Sequence, residues 1–202
     1  MEIFEIKIKS KTNPNIFVLK TSAGEFDFFS DILVKNNIKC GFCDDEKFVN
    51  SHQESSEIIA YNLSLKYIGN RFKTEKQICD YLIKKNYEKQ IVENVVKKLK
   101  NYSIINDKLY AENYIRSNKN FSKNKLKQKL YSFGVSSNDL EEMDDIVDDF
   151  ESCKKQCEKF LKNKPLNQLT KEKLIRRLLG MGYNWETIKS CLSNLNFSDE
   201  EI

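Results

Sequence analysis

The stretch Thr170-Lys-Glu-Lys-Leu-Ile-Arg-Arg-Leu-Leu-Gly-Met-Gly-Tyr183 decides the fold, because the chain carries three versions of it. Residues 74–87 read TEKQICDYLIKKNY and residues 122–135 read SKNKLKQKLYSFGV, so successive copies start 48 residues apart. A fixed period of that length is the signature of stacked helical units. Each copy opens on a hydroxyl residue, Thr74, Ser122 or Thr170. Such a residue suits a helix N-cap, where its oxygen accepts an orphaned backbone N–H. Gln77, three residues after Thr74, completes a capping box. Ile78/Leu126/Leu174 and Leu82/Leu130/Leu178 then fall four apart, on one face of a short helix. Asn86, Gly134 and Gly182 follow, residue types that tolerate the left-handed conformation ending many helices. A second apolar set recurs as Val92/Leu140/Ile188, Val95/Met143/Cys191 and Leu99/Val147/Leu195. The unit is therefore a short capped helix, a tight turn and a second helix. A further helix is predicted ahead of each copy, over residues 60–68, 109–116 and 154–161, giving three helices per repeat.

Working outward, residues 1–53 are of another kind. Ile3, Ile6 and Ile8 mark an extended run, Lys11-Thr-Asn-Pro-Asn15 a turn, and residues 16–20 a second strand. Thr21-Ser-Ala-Gly24 leads into a third, Glu25-Phe-Asp-Phe-Phe29, which makes a three-stranded meander. Ser30 is placed as the cap of a helix over 31–35, and residues 44–49 hold either a helical turn or part of a linker with residues 51–56. So small a sheet is marginal alone and needs the first repeat or a partner to pack against. Its exposed edge offers one place for docking. The predicted architecture is mostly α: a β-rich module over 1–53 and three-helix repeats over 54–107, 108–152 and 153–202. Units that contact only their neighbours build an elongated, curved array.

The formal net charge is only +4, but the charges are unevenly laid out. Residues 122–138 hold Lys123, Lys125, Lys127 and Lys129 and no acid, whereas residues 139–152 hold eight acids and no base. That dipolar middle repeat suits a protein that meets both a basic and an acidic surface, or simply two solvated helix faces. No long apolar run or charged-then-apolar leader is present, so neither a membrane span nor a signal peptide is expected. Six scattered cysteines do not form the framework of a secreted disulfide scaffold, and a cytoplasmic protein is expected.

Catalytic chemistry finds no foothold. His52, the only histidine, sits in a polar stretch and reads as a surface residue. No phosphate loop, nucleophile elbow or paired catalytic carboxylates stand in their required contexts. The acids of 139–151, spaced around Leu140, Met143, Ile146, Val147 and Phe150, read as the solvated face of an amphipathic helix rather than a metal site. Cys40-Gly-Phe-Cys43 has the spacing of two zinc ligands or a redox pair. It lacks the partners or the strand–helix context that either would need, and reads as plain thiols. Hence no enzyme, cofactor or metal is expected.

The basic positions are more informative. Lys123/Lys171, Lys125/Lys173 and Lys129/Arg177 occupy equivalent places in copies two and three, with Lys127 and Arg176 nearby. Copy one offers Arg71 and Lys73 just before its cap instead. Aligned along a helix start, such cations suit phosphates or an acidic protein surface. The capped helix, turn and second helix also echo a helix-turn-helix. The second helix of repeat two is acidic, however, and that of repeat three offers a weak base-reading set. Sequence-specific duplex binding is therefore disfavoured.

The unit Ser/Thr-x-x-x-Leu-x-x-x-Leu-x-x-x-Gly-Tyr resembles the repeat of the RecX recombination-regulator family. Ile104-Ile-Asn-Asp-Lys-Leu-Tyr-Ala-Glu-Asn-Tyr-Ile-Arg116 resembles the family's Asp-Asp-x-x-Phe-Ala-x-x-Tyr-Val-Arg-x-Arg. Asp107, Ala111, Tyr114 and Arg116 match, whereas Asn106, Tyr110, Ile115 and Asn118 stand in for other residues. Leu65-Lys-Tyr-Ile-Gly-Asn-Arg-Phe-Lys-Thr74 is similar to the family's opening Leu-x-Tyr-Leu-x-x-Arg-x-x-Ser. The resemblance covers roughly residues 56–195. It implies a monomeric, non-enzymatic regulator that binds the RecA nucleoprotein filament and single-stranded DNA within it, and restrains strand exchange and ATP hydrolysis. The candidate contacts on that reading are Arg71, Lys73, Arg116, Lys123, Lys125, Lys127, Lys129, Lys171, Lys173, Arg176 and Arg177. The alternative is a free-standing nucleic-acid-binding protein with no recombinase partner.

Overall fold

The repeat begins as its caps dictate. In the computed structural model, which describes residues 1–69, 71–141, 146–193, 195 and 197, Thr74 caps α3 (Glu75–Lys84) with a full capping box. Its hydroxyl accepts from the Gln77 N–H at 3.2 Å, and the Gln77 side chain accepts from the Thr74 N–H at 3.2 Å. The helix ends in a Schellman turn. Asn86, at φ 64°, donates to Ile83 O, and Tyr87 donates to Leu82 O. The same pair of bonds recurs at Gly134/Val135 and at Gly182/Tyr183, so the three copies share one stop signal in atomic detail. Ile78, Leu82, Leu126, Leu130, Leu174 and Leu178, the predicted face, are all at most 1% exposed.

The chain divides into two compact units, Met1–Ile105 and Asn106–Ile202. The first opens with a four-stranded antiparallel sheet of order β3-β2-β1-β4, built from β1 (Glu2–Ser10), β2 (Asn13–Thr21), β3 (Gly24–Phe29) and β4 (Gly41–Phe42). Ser22-Ala23 joins β2 to β3, with Thr21 facing Gly24, whose φ of 127° suits the turn exit. Pro14 sits in β2 before the pairing with β3 begins at Ile16, where no β3 acceptor misses its N–H. Two residues of β4 pair with Glu2 and Ile3, so a fourth strand joins the three expected. Ser30 is not a cap: α1 (Ser30–Lys35) is preceded by Phe29, whose N–H goes to the Ser55 hydroxyl.

Residues 44–68 form neither a lone turn nor a linker. Asp44 accepts the Lys47 N–H at 2.9 Å and starts α2 (Asp45–Ile68), 24 residues without a break. Its N-terminal half packs Phe48 against Ile3, Leu19 and Phe28 of the sheet, and Ala60 joins the core of α3 and α4 (Lys89–Asn101). Serines make up much of the rest of its buried face, with Ser51, Ser55 and Ser56 ahead of Ile59 and Ser64 beyond Ala60. Ser51 and Ser64 return their hydroxyls to Lys47 O and Ala60 O, which satisfies them in the core and lets the sheet approach. His52 is not a surface residue. It lies half-buried with its ring edge-on to Phe26 at 5.1 Å, and burial lowers its pKa against the raising influence of Asp27 and Glu88.

The second unit holds two cores. Ala111, Ile115, Leu126, Leu130, Val135 and Leu140 close the first, from α5 (Asp107–Ser117), α6 (Lys123–Ser132) and α7 (Ser137–Glu141). Cys153, Cys157, Leu174, Leu178, Tyr183, Ile188 and Cys191 close the second, from α8 (Asp149–Leu161), α9 (Gln168–Gly180) and α10 (Trp185–Leu192). Ser122 caps α6 as expected, and Asn106, not anticipated as a cap, accepts the Leu109 N–H and starts α5. Thr170 does not cap α9. Asn167 accepts the Thr170 N–H at 3.0 Å and starts the helix a turn earlier. The acidic run is likewise not one amphipathic helix. Asp148 accepts from the Phe150 and Glu151 N–H groups and opens α8, so Ile146 and Asp149 belong to different elements. Met143 and the neighbouring Glu142, Asp144 and Asp145 lie outside the described residues.

The two cores of this unit are joined at helix ends. The Ser122 N–H donates to Met181 O at 3.0 Å, its hydroxyl to Gly182 O at 2.6 Å, and Lys125 Nζ to Gly180 O. The start of α6 thereby takes up carbonyls left open at the end of α9, an arrangement the helix dipoles also favour. Asp149 accepts the Lys123 N–H at 2.7 Å, and the Tyr183 hydroxyl donates to Asn120 O at 3.2 Å.

Candidate functional site

The candidate cations form several groups, and five of them, Lys73, Lys125, Lys129, Lys171 and Arg177, are laid against aromatic rings. In the first unit Tyr67 of α2 and Tyr81 of α3 stack at 4.1 Å with planes 6° apart. Lys73 lies over the Tyr67 ring at 4.6 Å and Lys85 over Tyr81 at 6.0 Å. Arg71 is exposed between the end of α2 and the cap of α3. An aromatic face attracts a cation electrostatically and limits the wandering of a long side chain, so these ammonium groups are held in place rather than splayed.

In the second unit Lys125 and Lys129 share the Phe121 ring, at 5.2 and 4.7 Å. Lys123 and Lys127, four apart, lie on the other flank of the buried Leu126–Leu130 stripe, so the α6 lysines make two rows rather than one. Lys125 also serves the fold through Gly180 O, which makes it partly a structural residue. On α9, Arg177 lies 5.9 Å from the Phe160 ring and Lys171 5.7 Å from Phe197, while Lys173 and Arg176 are exposed. Arg116 is exposed at the end of α5 and pairs with Glu112 at 3.7 Å.

Sequence reasoning missed three members of this set. Lys164 lies 3.4 Å from the Phe160 ring that Arg177 also approaches, Lys98 covers Tyr61 at 4.7 Å, and Lys85 closes the tyrosine stack. An aromatic residue four positions before a lysine, as in Phe160/Lys164 and Tyr81/Lys85, is the signal that could have found two of them.

The other motifs carry no chemistry of this kind. Cys40 and Cys43 flank the short strand β4, where alternate residues point to opposite faces. Cys40 is exposed, Cys43 half-buried in the sheet's core, and both are free thiols. Among the described residues no group of three or more His, Cys, Asp and Glu is arranged to hold a metal ion, and no helix is long and apolar enough to cross a membrane. What the surface can do is present fixed cations to an anionic partner.

Residues 60–99, which contain the end of α2 with α3 and α4, match the family described as RecX, first three-helix domain. A regulatory protein RecX of Clostridium tetani (strain Massachusetts / E88) is 31% identical over 204 residues, covering 96% of this chain and 94% of that protein. A regulatory protein RecX of Clostridium perfringens (strain SM101 / Type A) is 26% identical, with 96% of each chain covered. Among solved structures, a crystal structure of regulatory protein RecX superposes with a TM-score of 0.65 at 20% identity, over 96% of this chain and 99% of that one. The crystal structure of RecX from Lactobacillus salivarius gives 0.59 at 23% identity, over 69% and 96%. The near full-length likeness at 31% identity, on a fold built from the repeat read in the sequence, shows that this chain belongs to the RecX family of regulatory proteins.

Proposed function

We propose that the protein binds the RecA nucleoprotein filament and modulates, chiefly by inhibition, its recombinase and ATPase activities in DNA repair, acting as a cytoplasmic monomer without catalysis of its own. Family membership supplies the regulatory role. The observation that carries the mechanism is the series of ring-held cations, Lys73, Lys129, Lys171 and Arg177. Cations held in defined positions lose less freedom on meeting carboxylates or phosphates, so more of the attraction is realised as affinity. A filament offers both anions: acidic protein surface and the enclosed single strand.

Co-sedimentation with RecA assembled on single-stranded DNA, beside bare single-stranded DNA, tests this reading. The protein pellets with the filament at concentrations where it leaves bare DNA alone. Equal binding to both, with a steep loss as salt rises, would transfer the reading to a free-standing nucleic-acid-binding protein.

A further inference from the structure

Three of the six cysteines meet in the core formed by α8, α9 and α10. Cys153 and Cys157 stand one turn apart on α8 and Cys191 packs into the same core from α10, its thiol donating to Phe150 O at 3.8 Å. All three are nearly inaccessible across the protein's outer surface, at 0, 3 and 8% exposure. A cavity of about 270 Å³ nonetheless reaches two of them, lined by Cys157 and Cys191 together with Phe150, Lys154, Glu158 and Leu161. The three sulfurs are not equivalent. The neighbouring Cys153 thiol draws the Cys157 thiol below its ordinary pKa, while burial pushes Cys191 up. Only Cys157 and Cys191 reach the cavity, and of these two Cys157 is the one disposed towards the thiolate, the reactive form.

We propose that Cys157 is an oxidisable site for a small hydroperoxide entering this cavity, and that it closes a disulfide with Cys191, stapling α8 to α10. The Cys157 thiolate attacks one peroxide oxygen. The O–O bond breaks, and the departing oxygen takes up a proton and leaves as water or alcohol, giving a sulfenic acid. Cys191 then loses its proton and attacks the Cys157 sulfur; the S–O bond breaks, hydroxide leaves as water with that proton, and the S–S bond forms. The two thiols supply the two electrons that reduce the peroxide. Cys153 is not the resolving partner. Residues four apart on a helix hold their Cβ atoms ~5–6 Å apart, beyond the ~3.5–4.5 Å a disulfide spans.

The test uses the full chain with Cys40→Ser and Cys43→Ser, so that the exposed pair does not compete. Native protein is treated with hydrogen peroxide, remaining thiols are alkylated under denaturing conditions, and peptides are mapped by mass spectrometry. The proposal expects the chain to lose two hydrogens and the Cys157 and Cys191 peptides to be linked within one molecule. Adding Cys191→Ser should abolish the link and leave Cys157 as a sulfenic acid that dimedone traps. Cys157 and Cys191 remaining reduced under peroxide that fully oxidises Cys40 in the wild-type chain would overturn the proposal, as would a link confined to other cysteines.

Discussion

Replacing Gly182 by alanine should be among the most damaging single-methyl additions in the molecule. Gly182 follows the end of α9 at φ +88°, and a Cβ there would stand 2.7 Å from both Lys125 Cβ and Ser122 Oγ, with Lys125 Cδ at 3.1 Å. An L-residue in the left-handed region costs about 1–2 kcal/mol. The clash is with a Cβ fixed to the α6 backbone, so relief requires that helix start to withdraw. Withdrawal weakens the Ser122 bonds to Met181 O and Gly182 O, each worth about 1 kcal/mol. The expected loss is therefore about 3 kcal/mol. Trp185, the only tryptophan, lies three residues beyond, so its fluorescence in a urea titration reports this unit. Gly180→Ala is the control: nothing lies within 4 Å of its Cβ position and the helix tolerates it, so stability should hold or rise. A Gly182→Ala midpoint within about 0.5 kcal/mol of wild type would refute the docking of α6 on α9.

Three further outcomes are expected. Thr74→Ala removes the capping box of α3 and should cost about 1 kcal/mol, with Thr74→Ser recovering most of it, in urea midpoints of the full chain. Because the folded state lowers the His52 pKa, the unfolded chain binds more protons below about pH 6.5, and stability must fall as pH drops from there towards the folded value. His52→Gln should flatten that slope; an unchanged slope would mean that His52 is not responsible. The triple variant Lys129→Glu, Lys173→Glu, Arg177→Glu should weaken filament co-sedimentation at least about tenfold while urea stability stays within about 0.5 kcal/mol. Lys125 is left in place because its bond to Gly180 O would mix folding with binding.

The repeat was legible because its core positions are apolar residues four apart, and because Asn86, Gly134 and Gly182 stand where a left-handed residue is needed. What escaped the sequence did so for physical reasons. The upper face of α2 buries Ser51, Ser55 and Ser56, which periodicity counts as polar, so one helix of 24 residues read as fragments. Asn167 competes with Thr170 for the cap, and both types suit it, so residue preference alone does not choose. Asp148 caps α8 from within a run of acids that resembles one amphipathic helix. The two residues of β4 carry no alternation to find; pairing with β1 alone makes them a strand. Of the candidate surface, the matched basic positions were visible. Their seating on Phe121, Phe160 and Phe197 was not, because those rings lie outside the helices that carry the cations.

The most direct test of the central claim is RecA-dependent ATP hydrolysis on single-stranded DNA with this protein titrated in. Regulation through the filament predicts suppression at well below one copy per RecA protomer, since one bound molecule then affects several neighbours. Undiminished hydrolysis at equimolar protein, accompanied by binding to bare DNA, would contradict it.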